Sequence, residues 1–264
     1  MAWCAFHLHQ NRVRDQGIHD STPHARLGVD KGHWAGPPGR RVTLVDMKAW
    51  IKPKMLPHGR RVRRLPMGIG RGLKMGVDFH RGETRLYLGL YEMELNRHLR
   101  ALAHPRYRCF DLGGQYGYDA LILAKLTGAP VVSVEALPEL AVEIRQNAAA
   151  NPGLARIDVV CGYVDAEDDG DKVTIDRLAD LYGMPDLMKL DIEGGEVAAL
   201  RGATKVLAAR RPAILLEVHG ADVEWECLAL LRQAGYAPPT VVVPRRWLPE
   251  HRPLDHNRWL IFPN

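Results

Sequence analysis

Residues 107–117 read Tyr-Arg-Cys-Phe-Asp-Leu-Gly-Gly-Gln-Tyr-Gly. A short apolar run ends at Asp111, glycines follow at Gly113, Gly114 and Gly117, and a helical pattern opens at Tyr118. A strand that breaks into a glycine turn and then a helix lets backbone N–H groups approach a nucleotide-like ligand, since glycine tolerates left-handed backbone and carries no Cβ. A second apolar run, Val131-Val132-Ser133-Val134-Glu135, ends in a carboxylate. An acid at that place can accept two hydrogen bonds from a ribose diol.

The glycine spacing discriminates among nucleotides. A dinucleotide site prefers Gly-x-Gly-x-x-Gly, with the helix start against a pyrophosphate. Here the pattern is Asp-x-Gly-x-x-x-Gly, with a carboxylate in front. Asp111 would repel a pyrophosphate and suit a ligand with a cationic amino-acid end. The ligand that joins adenine, ribose and an ammonium-bearing tail is S-adenosylmethionine. The expected cofactor-binding residues are therefore Asp111, Gly113, Gly114, Gln115, Gly117 and Glu135. A nicotinamide dehydrogenase fits the spacing less well, and the plain alternative is a tight turn with no ligand.

From Tyr107 onward, strands at 107–112, 131–135, 157–161, 186–191 and 212–218 alternate with helical patterns at 117–127, 138–150, 174–182, 195–208 and 222–234. Such alternation means an α/β fold, a parallel sheet covered on both faces by helices. Two further strands follow near 240–243 and 259–262. Upstream, Leu73, Met75, Val77 and Phe79 alternate as a strand does, and Leu95, Leu99 and Leu102 recur at helical spacing. In open α/β sheets ligands sit beyond the carboxyl ends of strands. The polar groups there are Asp111, Glu135, the run Asp191-Ile192-Glu193-Gly194-Gly195-Glu196, and Glu217-Val218-His219-Gly220.

Several segments converge on one family. Met188-Lys189-Leu190-Asp191-Ile192-Glu193-Gly194-Gly195-Glu196, then Leu200-Arg201-Gly202-Ala203, then Pro212-Ala213-Ile214-Leu215-Leu216-Glu217-Val218-His219-Gly220, resemble the FkbM-type S-adenosylmethionine-dependent methyltransferases. The entry segment Leu86-Tyr87-Leu88-Gly89-Leu90-Tyr91-Glu92-Met93-Glu94 is also similar to theirs. The resemblance covers about 70–262. It implies a Rossmann-like class I methyltransferase sheet of seven strands, ordered 3-2-1-4-5-7-6, mostly parallel with one antiparallel strand, and helices on both faces. It also implies O-methylation of a hydroxyl on a small-molecule metabolite or sugar. The loop departs from the usual Asp-x-Gly-Ala-Asn/His-x-Gly at Gly114 and Gln115, and the stretch between Cys161 and Thr174 is short and acidic.

Methyl transfer from a sulfonium is an in-line displacement, so the protein must align acceptor oxygen, carbon and sulfur, and a base must take the alcohol proton. Asp191 and His219 end two strands that should be neighbours, and the family motif retains both. They are the expected catalytic residues, with His219 as base. Glu193 lies two residues after Asp191, on the same side if the chain stays extended. Capping of the helix near Gly195 suits it better. An Asp191/Glu193/His219 trio could hold Mg²⁺, but nothing in the sequence fixes a supporting layer, and no metal site is assigned.

The remaining features set limits. The chain has 264 residues, 46% of them hydrophobic and 25% charged, which suits one α/β domain plus an extension. Residues 1–64 are rich in His, Arg, Gly and Pro, with no sustained period, and read as a basic, flexible extension ahead of a methyltransferase domain at 65–264. Within them, 1–46 should contribute little to the core, 42–45 offers a short strand, and His7 and His9 lack further ligands. The net charge of +5 is concentrated between Arg40 and Lys74, where aromatics are sparse. A solvated arm suits this composition better than a nucleic-acid contact. No apolar run is long enough to span a bilayer. The four cysteines are scattered and imply a reducing, cytoplasmic compartment. Two other classes stay open: an RNA-directed methyltransferase tethered by the basic arm, and a non-catalytic binding protein that keeps the fold. The oligomeric state is not legible.

Overall fold

In a computed structural model of the chain, the described residues are 58–243 and 257–264. The expectations for 1–46, the strand at 42–45 and the His7/His9 pair lie outside them. The first elements are β1 (Arg61–Arg64) and β2 (Lys74–Val77), an antiparallel pair. The strand β1 begins four residues before the point where the sequence suggests order. Short helices α1 (Thr84–Tyr87) and α2 (Asn96–Leu102) follow. The main alternation is then β3 (Cys109–Leu112), α3 (Tyr118–Thr127), β4 (Val131–Glu135), α4 (Pro138–Ala149) and β5 (Ile157–Cys161). A two-stranded excursion comes next, β6 (Tyr163–Val164) with β7 (Lys172–Val173). The chain resumes with α5 (Ile175–Tyr182), β8 (Leu187–Leu190), α6 (Glu196–Arg201), α7 (Thr204–Ala209), β9 (Ala213–His219), α8 (Ala221–Gln233), β10 (Thr240–Val242) and β11 (Asn257–Phe262).

The seven-stranded sheet runs β10-β11-β9-β8-β3-β4-β5. Renumbered along the chain, this is the expected order 3-2-1-4-5-7-6. β11 inserts antiparallel between β9 and β10, while β9, β8, β3, β4 and β5 are parallel.

Strand period two sorts the residues onto two faces. One face carries Phe110, Leu112, Val132, Val134, Met188, Leu190, Ile214, Leu216 and Val218, packed with Ile175, Leu178, Leu200, Val206, Cys227 and Leu231 from α5 to α8. The opposite face is apolar at its base, with Cys109, Val131, Leu187, Ala213, Leu215 and Trp259 against α3 and residues of 65–102. Towards the carboxyl ends this second face turns polar: Asp111, Ser133, Glu135, Lys189, Asp191 and Glu217 are all buried there.

The single helix expected at 195–208 is two. Gly202 ends α6 where a Cβ would come within 2.2 Å of the Asp165 carbonyl oxygen. The restart is capped from elsewhere: Asp176 accepts the Lys205 and Val206 N–H groups at 2.9 Å each. Asp176→Ala should therefore destabilise the fold by about 0.5–2 kcal/mol, as loss of a helix cap does. Thermal unfolding of the variant, with an unchanged far-ultraviolet spectrum at room temperature, measures this.

Candidate functional site

The glycine loop folds back on β4. Gly113 and Gly114 N–H both donate to the Val134 carbonyl at 2.9 Å, and Gly117 N–H donates to Gly114 at 2.6 Å. Gly113 has φ +89, and a Cβ there would lie 1.8 Å from the Asp191 carbonyl oxygen. At Gly114 a Cβ would lie 2.3 Å from Ser133 Oγ. These glycines are thus required by the close approach of neighbouring strands, a tighter constraint than access for a ligand. Gln115, at φ +46, is held by its backbone N–H, which donates to Glu135 Oε2 at 2.8 Å. The other oxygen of Glu135 accepts from Leu137 N–H at 2.9 Å. Burial raises the Glu135 pKa, while the backbone N–H groups of Leu137, Gln115 and Ala136 pull the other way. Six of the expected residues, Asp111, Gly113, Gly114, Gln115, Gly117 and Glu135, are therefore gathered at the ends of β3 and β4.

Asn147, buried on α4, fixes this loop from behind. Its Nδ2 donates to the Tyr116 carbonyl and its Oδ1 accepts from Gly76 N–H, each at 2.8 Å. Arg60 lies over the Tyr116 ring and pairs with Glu83 and Glu143 at 2.6 and 2.8 Å. This arginine of the basic stretch is therefore part of the packing.

Asp111 is fully buried. Its Oδ2 accepts from Ser133 Oγ at 3.0 Å, and its Oδ1 has no hydrogen-bond partner. Burial pushes its pKa up to about 7; Lys189 and Ser133 oppose this, and Asp119 and Asp191 add to it. Beside it lies a buried ammonium that sequence reasoning missed. Lys189 Nζ is 3.1 Å from Asp119 Oδ2 and 3.3 Å from Asp191 Oδ2. Burial acts against its charge, but Asp119, Asp191, Glu92 and Asp111 together hold its pKa well above the ordinary lysine value.

Asp191 and His219 do converge. His219 Nε2 lies 3.7 Å from Asp191 Oδ1 and 3.7 Å from Glu217 Oε1. Its Nδ1 is 2.6 Å from Glu196 Oε1. Burial alone would lower the His219 pKa; the hydrogen bond to Glu196 and the charges of Asp191 and Glu217 raise it above the usual value. Glu217 is buried and accepts the Trp259 indole N–H at 3.0 Å. Glu92, also buried, has no hydrogen-bond partner on either oxygen, and burial followed by the charge of Glu217 lifts its pKa well up.

Glu193 joins none of this. The strand ends at Leu190, and Glu193 sits exposed at φ +45, so it does not share a side with Asp191. Nor does it cap α6, whose first turn follows Gly195 with no side-chain cap. Glu196, Glu217 and Glu92 lay inside the quoted motifs, and their apolar neighbours on β9 and in the entry segment were the available signal that they are buried.

Residues 166–238 match the Methyltransferase FkbM domain. The match takes in Asp191, Glu196, Glu217 and His219, and the resemblance read in the sequence is borne out. Among solved structures, Trm5b from Pyrococcus abyssi is similar with a TM-score of 0.54 and 13% identity, over 79% of this chain and 56% of that one. A methyltransferase FkbM from Methylobacillus flagellatus KT gives 0.49 and 15%, over 67% and 54%. A precorrin-6y C5,15-methyltransferase from Geobacter metallireducens GS-15 gives 0.45 and 13%, over 64% and 87%. The chain thus spans little more than half the length of the first two. At 13% identity the likeness to Trm5b speaks for the fold alone, a Rossmann-like sheet. No curated protein matches the chain.

The ion cluster predicts a stability effect. Lys189→Met leaves the buried Asp191, and the half-buried Asp119 beside it, without their cation; breaking a buried pair typically costs about 3–5 kcal/mol. Denaturant unfolding should show a loss of this size; a loss below about 1 kcal/mol would mean that the ammonium does not hold the cluster.

Proposed function

We propose that the protein is an S-adenosylmethionine-dependent methyltransferase that methylates a hydroxyl oxygen on a small molecule or sugar. The observation that carries this reading is the convergence of buried acidic strand ends beside the glycine loop, within a chain whose residues 166–238 match a methyltransferase domain. The residues present fit the cofactor. The partnerless Asp111 Oδ1 suits its ammonium. Glu135, preset by two backbone N–H groups, keeps lone pairs for ribose hydroxyls. Gly113, Gly114, Gln115 and Gly117 shape the wall between them. The cofactor would supply a methyl group already activated on sulfur. The chain's own task is to orient the acceptor oxygen and take its proton, roles for Asp191 and for His219 through Nε2. The thiols of Cys109, Cys161 and Cys227 are free, which fits a reducing cytoplasm. Among the described residues no helix is long and apolar enough to cross a membrane.

The decisive experiment is single-turnover transfer from methyl-labelled cofactor to a panel of hydroxylated metabolites, with structured RNA in parallel. Transfer to a hydroxyl is expected; transfer only to RNA would replace the substrate class, and binding without transfer would favour a non-catalytic role. Calorimetry should show Glu135→Ala weakening cofactor binding by about 1.5–3 kcal/mol, the worth of charge-assisted hydrogen bonds. Unchanged affinity would remove Glu135 from the cofactor site.

His219→Ala should slow transfer about 10²–10⁴-fold with little change in cofactor affinity. The pH profile carries a sign. A base must be neutral, and the carboxylates around His219 raise its pKa. The rate should therefore climb with pH and level off above the ordinary imidazole value of about 6.5. A plateau reached below that value would show that another group takes the proton.

A further inference from the structure

The geometry points to a divalent-cation site formed by Asp191 Oδ1, Glu217 Oε1 and His219 Nε2, with Glu196 as its supporting residue. These three ligand atoms lie within 4.8 Å of one another. The imidazole nitrogen is 3.7 Å from each of the two carboxylate oxygens, beyond hydrogen-bond reach. Atoms that share one ion at about 2.0–2.2 Å lie on the order of 3–3.7 Å apart. The two spacings from Nε2 are thus those of ligands around a common centre.

The Glu196 contact orients the ring for this purpose. With Oε1 at 2.6 Å from Nδ1, the proton belongs on Nδ1 and the lone pair of Nε2 faces Asp191 and Glu217. A carboxylate behind a histidine is the usual way that a ligating imidazole is fixed. The sequence offered no such layer around Asp191, Glu193 and His219; the structure puts Glu217 in place of Glu193 and adds Glu196.

A separate observation concerns charge. Glu92 comes from the segment before α2, is 4% exposed, and has no hydrogen-bond donor at either oxygen; its largest charged neighbour is Glu217. A buried carboxyl turned towards other carboxylates, with no donor of its own, is costly unless a cation stands nearby. Lys189 is committed to Asp119 and Asp191. A divalent ion held by Asp191, Glu217 and His219 would add positive charge facing this carboxyl. One imidazole and two carboxylates suit a first-row ion such as Mn²⁺. His219 Nε2 then carries either a proton or the ion, never both, so the loaded and metal-free proteins differ at the group proposed as base.

The test needs no methyl donor, so it stands apart from the proposed reaction. The full chain is stripped with EDTA, desalted and titrated with Mn²⁺ by calorimetry and electron paramagnetic resonance. One equivalent should bind, with an imidazole nitrogen coupling in the pulsed spectrum. His219→Ala, at a partly exposed ring, should abolish that coupling and weaken binding at least tenfold. Glu217→Gln should weaken it similarly, with circular dichroism confirming the fold. Glu193→Gln, at an exposed neighbour, should bind as wild type does. Absence of saturable binding, binding without nitrogen coupling, or equal affinity in wild type and His219→Ala would overturn the site.

Discussion

The buried ammonium of Lys189 is the interaction on which the rest of the site depends. A cation taken out of water is tolerated only beside opposite charge. Here that charge comes from the first turn of α3, through Asp119, and from the end of its own strand, through Asp191. The pair of contacts ties the helix after the glycine loop to the strand beside it. Asp191, 3% exposed, turns one oxygen to Lys189 and the other to His219. The backbone adds to the same lock, because the Asp191 carbonyl presses so closely on Gly113 that no side chain fits there.

A second consequence follows from strand periodicity. Residues of β3, β8 and β9 that alternate with the apolar core all face the side covered by α3 and the segment 65–102. On that side the register sets Asp111 level with Lys189, and Lys189 level with Leu215. Two residues on, the same face presents Asp191 and Glu217. Charge therefore accumulates at one end of one face, where strands finish and a ligand can enter, while the other face stays apolar throughout.

The sheet was legible because its signals are local. Apolar runs of strand length, separated by helical periods, gave β3, β4, β5, β8 and β9 within a few residues, and the resemblance supplied the order, including the antiparallel β11. Asp191 and His219 were legible as strand ends. The partners of those ends were not. Glu196 reaches His219 only because the chain reverses through left-handed Glu193 and Gly194 before α6 begins. That reversal also defeats the assumption that Glu193 continues the extended chain. Lys189 reads as a surface lysine by type, and only the convergence of Asp119, Asp191, Glu92 and Asp111 makes its burial tolerable. Such long-range charge matching has no sequence period.

The excess of carboxylates bears on how the proposed reaction would run. A sulfonium cofactor is positive and its product is neutral at sulfur, so a negative field favours binding the reactant and releasing the product. The same field opposes the chemical step, in which the sulfonium charge is lost. Protonation moderates this conflict. Burial lifts Asp111 to about 7 and raises Glu92 well above its ordinary value, against the pull of Lys189, so both carboxyls hold their charge less firmly than in water. An arriving ammonium would draw Asp111 back to its charged form, which places the negative charge at the amino-acid end of the ligand and away from the reacting carbon. Asp111 lies near the end of the strand on one side of β8 and His219 ends the strand on the other, with Lys189 on β8 itself. In the proposed reaction that order would keep the acid for the cofactor's ammonium apart from the base for the acceptor's proton.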